Sequence, residues 1–294
     1  MGGSGMLFFL YGISKMEKDI IYHGDCIEGM RKLPKESVDV IIADPPYNIG
    51  KDFGNDSDRQ SKKDYFKWCE EWIDESLRIL KPDGTMYIYG FSETLSYIRV
   101  MLEPLDGTSK CNVRWIIWHY TNKVVPGLKF WQRSHESILV CYKTSSRIFN
   151  RDKVREEYTS GFLKGCAGKE RPSTKGRFSN GEKTTIYKAH ALGALPRDVI
   201  KGIPTLAGGA GKKEGVNHPT QKPLKLCEKL LKASMRDGEE TILVVPFCGS
   251  GSECVAAVQL GIRYVAYELN EEYICLSKKR LLVKEETKQS NNEK

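Results

Sequence analysis

One run of six residues limits the folds open to this chain more than any other. Val38 to Ala43 is almost wholly apolar and rich in β-branched residues, and such a run reads as a strand buried on both faces, as in parallel sheets. It ends at Asp44-Pro45-Pro46-Tyr47. Neither proline can donate to a ladder, so the strand stops and the chain turns. An acid, a rigid backbone with its carbonyls outside any ladder and an aromatic ring are thereby presented together at the carboxyl end of a strand, where open α/β sheets bind ligands. A Pro-Pro pair is also an ordinary strand stop, so the rest of the chain must decide.

The flanking sequence alternates between strand and helix patterns. A short strand, Ile20 to Tyr22, leads into His23-Gly24-Asp25-Cys26 and a short helix. Tyr65 to Leu80 carries Phe66, Cys69, Ile73, Leu77 and Leu80 at helical spacing, with Trp68 and Trp72 as packing residues and a stop at Lys81-Pro82-Asp83-Gly84. A strand (Thr85 to Tyr89), a helix (Glu93 to Leu102) and two strands with no helical crossover between them (Val113 to His119, Ser137 to Tyr142) follow. The pattern resumes late with a helix (Leu224 to Met235), a strand (Thr241 to Val245), a helix (Gly251 to Leu260), a strand (Tyr264 to Glu268) and a helix from Glu271 to about Val283. This order predicts one doubly wound α/β sheet interrupted by one insertion. Its divisions are a leader over 1–18, one half of the sheet domain over 19–143, a basic segment over 144–217, the other half over 218–284 and a frayed polar tail over 285–294. Residues 48–63 are polar and turn-rich, which fits a mobile lid or a plain disordered loop.

Charge is unevenly spread. The chain carries a formal +8, yet residues 143–215 hold 16 Lys and Arg against 7 Asp and Glu, so the remainder is close to neutral. The segment reads either as a solvated basic insertion or as a surface whose cations displace counterions from nucleic-acid phosphates. The nine cysteines form no Cys-x-x-Cys and show no metal-ligand spacing, which predicts reduced thiols, a cytoplasmic setting and no bound metal. Met6 to Ile13 is too short to span a bilayer, so no membrane association is expected. Met1 to Gly5 reads as a cloning leader, with Met16 as the start that matters.

A second constellation follows the strand at Thr241 to Val245. Pro246-Phe247-Cys248-Gly249-Ser250-Gly251-Ser252 leads directly into a helix, and glycines there let the backbone approach an anionic group closely. Glu268 closes the next strand, near the offset at which an acid reaches a ribose diol in nucleotide-binding folds. His218-Pro219-Thr220-Gln221-Lys222-Pro223 precedes another helix. Its hydroxyl and ammonium suit a carboxylate, although Thr220 as a helix cap with Pro223 in the first turn is the simpler reading.

Taken in order, Asp44-Pro45-Pro46-Tyr47, the basic middle, His218 to Pro223 and Phe247-Cys248-Gly249-Ser250-Gly251 resemble the β class of S-adenosylmethionine-dependent DNA amino-methyltransferases, over roughly Asp19 to Val283. The resemblance implies a circularly permuted, Rossmann-like methyltransferase sheet whose basic segment recognises the target. It implies that Asp25 and Cys26 meet the adenine of the cofactor and Glu268 its ribose. Phe247, Gly249, Ser250 and Gly251 would line its methionine, with Thr220 and Lys222 near the carboxylate and Asp44 close by. Catalysis would fall to Asp44, Pro45, Pro46 and Tyr47, acting on a base flipped out of double-stranded DNA. An acid before Pro-Pro implies adenine N6 as the acceptor, with cytosine N4 as the alternative. A homodimer is also implied, while a cognate restriction endonuclease and an orphan enzyme both stay open.

The chain departs from that family at two places. Val245 stands where an acid is usual, and Ser252 where threonine is usual. The loss of the acid leaves two readings open: Asp44 alone suffices, or the protein is a catalytically impaired DNA-binding relative. An RNA substrate is a third option, though nothing in the chain resembles an RNA-binding module.

Overall fold

The structure is a computed structural model that describes residues 16–292 except 52–57, 124, 173–174, 177–179, 182–183 and 208–213; the apolar stretch at 6–13 lies outside the described residues. The elements in chain order are β1 (Ile20–His23), α1 (Cys26–Arg31), β2 (Val38–Ala43), α2 (Lys62–Ile79), β3 (Leu80–Gly90), α3 (Ser92–Leu102), β4 (Asn112–His119) and β5 (His135–Tyr142). The basic segment contributes a 3-10 turn (Arg151–Val154), α4 (Ser160–Gly165), β6 (Glu170–Pro172), β7 (Thr184–Ile186) and β8 (Val199–Ile200). The chain closes with α5 (Leu224–Ser234), β9 (Ile242–Val245), α6 (Ser252–Leu260), β10 (Arg263–Glu268) and α7 (Glu271–Asn292).

Eight strands form one sheet in the order β1-β10-β9-β2-β3-β5-β4-β8. The first five are mutually parallel, β5 runs antiparallel between β3 and β4, and β8 pairs parallel with β4 at the edge. Every residue of β2 is buried. Val40 and Ile42 enter a core shared with α5 and α6, whereas Val38, Ile41 and Ala43 enter a second core under α1, α2 and α3. From Val40 to Ala43 alternate side chains thus seed two layers, as expected of a parallel strand with helices on both faces, while Val38 lies before the register shift and breaks the alternation.

Local signals explain most element ends. Ser61 caps α2 by accepting from the Asp64 amide, and Asp25 caps α1 by accepting from Ile27 and Glu28 at 2.9 and 3.0 Å. Three expectations need correction. First, no free-standing turn at 81–84 separates α2 from β3. Leu80 pairs directly with Val38, and the register then shifts so that Val40 meets Thr85, which leaves Lys81 to Gly84 as a bulge within the strand. Second, α7 continues to Asn292 rather than fraying near Val283, since the Lys-, Glu- and Gln-rich tail is composed of good helix formers. Third, Thr220 does not cap α5. Pro223 occupies the cap position, and the Leu224 amide donates instead to Glu214 Oε1 at 2.6 Å.

The loop after β2 is tied down at both ends of the undescribed stretch. The buried Asp58 carboxylate accepts from the amides of Asn48, Ile49 and Lys51, and Asn48 exchanges hydrogen bonds with Gln60. The basic segment is likewise stitched to the sheet domain. Asn150 bonds the end of α5, and Glu156 pairs with Lys229 at 3.2 Å.

Candidate active site

The carboxyl ends of β1, β2, β9 and β10 converge on one open cavity. Asp25 and Cys26 line it after β1, Asp44 to Tyr47 after β2, Phe247 to Ser250 after β9, and Glu268 at the end of β10. Thr220 and Lys222 enter from the segment before α5. Of the residues expected at the site, only Gly251 is absent from the cavity wall. It stands at the N-cap of α6 at φ +73°, where a Cβ would lie 2.8 Å from that of Ser277.

The turn after β2 is held on both sides. Tyr65 donates from its hydroxyl to the Pro46 carbonyl at 2.8 Å, whereas no described group donates to the carbonyl of Pro45. The Lys222 ammonium, almost fully buried, donates to both Asp44 oxygens at 2.8 and 2.7 Å and to the Tyr47 hydroxyl at 3.1 Å. Tyr47 in turn donates to Asp44 Oδ1 at 2.6 Å, and its ring meets Phe91 edge-on. Burial alone would lower the Lys222 pKa, but the carboxylates of Asp44 and Glu136 outweigh it and hold the ammonium well above its ordinary range. Lys222 is therefore a fixed cation that orients Asp44, rather than a lysine standing alone near the cofactor end of the cavity.

Glu136 completes this cluster, 3.4 Å from both Lys222 and the Tyr47 hydroxyl. It is the second residue of β5, and because β5 is antiparallel its beginning reaches the same sheet edge as the ends of the parallel strands. Glu253, in the first turn of α6, is a second unforeseen acid on the cavity wall, buried beside Cys227. Trp68 also lines the cavity and packs against Phe247 at 5.5 Å, while Trp72 is fully buried beneath the same ring.

The glycine turn after β9 is shaped for close approach. Gly249 has φ +48°, and a Cβ there would lie 2.8 Å from His218 Nε2. Its amide donates to Glu268 Oε2 at 2.7 Å, and Glu268 Oε1 accepts from Asn270 at 2.9 Å. Burial raises the Glu268 pKa, with these amides acting in the opposite sense. Burial also depresses His218 to about 4, so its ring is neutral at pH 7. Gly249→Ala is expected to weaken S-adenosylmethionine binding at least tenfold, since both the left-handed backbone and the His218 contact oppose a methyl group. Calorimetric titration of the variant checks this.

The cavity fits a nucleoside with a charged amino-acid end. Asp25, Asp44, Glu253 and Glu268 line it with carboxyl groups, and Trp68 with Phe247 forms an aromatic wall. Among the described residues no cluster of His, Cys, Asp and Glu is arranged to hold a metal, and no helix is long and apolar enough to cross a membrane.

Comparison with known proteins agrees with this geometry. The profile of the family described as DNA methylase (N6_N4_Mtase) matches residues 38–279. The type II methyltransferase M.HpaI of Haemophilus parainfluenzae is 31% identical over 87% of this chain and 72% of its own length. The DNA adenine methyltransferase YhdJ of Escherichia coli (strain K12) is 30% identical over 90% of this chain and 83% of its own. The solved complex of M1.HpyAVI with SAM superposes with a TM-score of 0.54 at 25% identity, covering 89% of this chain and 98% of that one. The cytosine-N4-specific PvuII DNA methyltransferase, at 16% identity and a TM-score of 0.59 over 88% of this chain and 85% of that one, shares the fold. Sequence, sheet and cavity thus place the chain in the N6/N4 family of S-adenosylmethionine-dependent DNA methyltransferases.

Proposed function

We propose that this methyltransferase acts on the exocyclic N6 amine of adenine in double-stranded DNA. The observation that carries the proposal is the state of the turn after β2. Asp44 is a carboxylate oriented by Lys222 and Tyr47, and beside it stands the carbonyl of Pro45, to which no described group donates.

An exocyclic amine on a purine is a poor nucleophile, because its lone pair is delocalised into the ring. Two acceptors aimed at its two protons draw the nitrogen toward a tetrahedral geometry and free that lone pair. Asp44 and the Pro45 carbonyl are such a pair. Bound S-adenosylmethionine supplies the electrophile, a methyl group on a sulfonium. The remaining work is positioning and electrostatics. Tyr47 offers its ring as a stacking surface, and Phe91 buttresses it at 5.0 Å between centroids. Lys222 compensates the buried charge of Asp44 without consuming all of its lone pairs, so the carboxylate still accepts from the amine. The methylated nitrogen is acidic and passes its surplus proton to Asp44 or to water.

The amine lies out of reach inside a duplex, so the base must leave the stack, at a cost of about a few kcal/mol. The loop joining β4 and β5 is placed to help. Phe130 and Trp131 are 80% and 88% exposed, with Lys123, Lys129 and Arg133 around them, and the loop springs from the strand end that carries Glu136. Adjacent large aromatics left in water are unusual unless a partner covers them. Stacking of an aromatic on a base contributes about 1–3 kcal/mol. Trp131→Ala is accordingly expected to weaken binding of duplex DNA roughly 10-fold while cofactor affinity stays unchanged, as read by fluorescence anisotropy and calorimetry.

Adenine is favoured because an acid precedes Pro-Pro and because the 30%-identical relative carries that specificity in its name. The cytosine-N4 neighbour shares the fold at much lower identity. Incubation with labelled cofactor and duplex DNA, followed by digestion to nucleosides, tests the assignment: label in N6-methyl-2′-deoxyadenosine is expected, and label only in N4-methyl-2′-deoxycytidine would refute it.

A further inference from the structure

We propose that Glu253 takes the place of the acid missing at the end of β9, and that its carboxylate holds the ammonium of the cofactor's methionine end. The proposal rests on S-adenosylmethionine as the cofactor.

Val245 ends β9 with its side chain wholly inside the core, so nothing polar leaves the strand there. Eight residues later the chain has passed through the glycine turn into α6, and Glu253 brings an acid back to the same cavity. The cavity wall includes Glu253 together with Asp44, Lys222 and Ser250. Its side chain is 4% exposed, and among the described residues the Cys227 thiol, at 3.5 Å, is the one side chain that donates to it, beside its own backbone amide. A thiol is a weak donor. A carboxylate removed from water with so little compensation is costly unless a cation reaches it.

The cations nearby are already engaged. Lys222 is bonded to Asp44 and Tyr47 and faces Glu136. Arg280, from α7, donates to the Ser250 carbonyl and to Ser252 Oγ at 3.2 Å. On β3, the fully buried Tyr89 hydroxyl has no hydrogen-bond partner among the described residues, so not every polar group of this pocket is satisfied. The groups facing Glu253 are thus Cys227 and Lys222 from the α5 side, Asp44 from the end of β2, Tyr89 from β3 and Arg280 from α7. With Glu136 counted, three carboxyl groups face the two cations Lys222 and Arg280, and an ammonium group arriving with the ligand balances the third.

Burial, and then the charge of Asp44, raise the Glu253 pKa to about 7. The free protein near pH 7 therefore holds this carboxyl partly protonated. A cation placed against it favours the ionised form, so binding releases part of a proton.

Calorimetry separates this role from a structural one. Wild type and Glu253→Gln are titrated with S-adenosylhomocysteine, which carries the amino-acid end, and with 5′-methylthioadenosine, which lacks it. A charge-assisted hydrogen bond predicts a loss of roughly 10- to 100-fold for S-adenosylhomocysteine in the variant, with methylthioadenosine within about twofold of wild type. Repeating the wild-type titrations at pH 7 in buffers of different ionisation enthalpy is expected to show proton release with S-adenosylhomocysteine and none with methylthioadenosine. Unchanged S-adenosylhomocysteine affinity in Glu253→Gln overturns the proposal. Should both ligands weaken equally, the wild-type proton count decides, and equal counts for the two ligands overturn it. If wild type binds neither nucleoside, the cofactor assignment itself falls, and this inference with it.

Discussion

Asp44→Ala is expected to lower the rate of methyl transfer by about 10³-fold, equivalent to about 4 kcal/mol of transition-state stabilisation. The substitution removes the charged acceptor for the amine and half of the pair that localises its lone pair. It also leaves the buried Lys222 ammonium with Glu136 at 3.4 Å, the Tyr47 hydroxyl and the Thr220 carbonyl as its remaining anchors, so the ammonium loses its two shortest bonds. Initial rates on duplex DNA read the loss. Asp44→Asn separates geometry from charge: the amide keeps one acceptor, and a rate between those of wild type and alanine is expected. The Val245 substitution made Asp44 a candidate for a second task, the cofactor's ammonium. With Glu253 in the same cavity that burden is lifted, and S-adenosylhomocysteine affinity in Asp44→Asn is expected within about threefold of wild type.

Asp39→Ala is expected to destabilise the fold by about 3 kcal/mol while leaving the cavity untouched. Asp39 is 1% exposed at the opposite end of β2. It accepts from Lys81 at 2.7 Å, from the Arg236 guanidinium and from the Ile242 amide at 2.9 Å, and so fastens β2 to the bulge of β3 and to the start of β9. Alanine leaves the Ile242 amide without its acceptor and two cations short of their counter-charge. Arg236 retains both Asp83 oxygens at 2.8 Å, which keeps the cost at the lower end for a broken buried pair. At about 2–4 °C per kcal/mol for a chain of this size, thermal unfolding should fall by about 6–12 °C. An unchanged melting temperature would show that the network contributes nothing net.

What could be read in the chain before folding was what its neighbours in sequence determine. The strand stop at Pro45-Pro46, the turn at Gly249 and Ser250 and the acid closing β10 are local signals, and each lines the cavity at the carboxyl ends of the strands. The sheet alternation was legible for the same reason. Side-chain pairing across the sheet was not. Lys222 and Asp44 are 178 positions apart, and no short-range pattern tells a lysine meant for a carboxylate from one meant for a ligand. Glu136 could have been found from the missing crossover between β4 and β5, since an antiparallel strand begins at the edge where parallel ones end. Glu253 was concealed by an ordinary preference, because acids are common in the first turn of a helix. Only its burial on the cavity wall distinguishes it. Asp39 was hidden in a run that reads as apolar, and its meaning depends on Arg236 and Ile242 arriving from the far end of the chain.

Base-resolution mapping of modified positions in genomic DNA tests the central claim most directly, when applied to cells expressing the wild type and, in parallel, Asp44→Ala. N6-methyladenine at one recurring sequence in the first and none in the second is the expected result. N4-methylcytosine in its place, or methylation that persists in Asp44→Ala, would contradict the account.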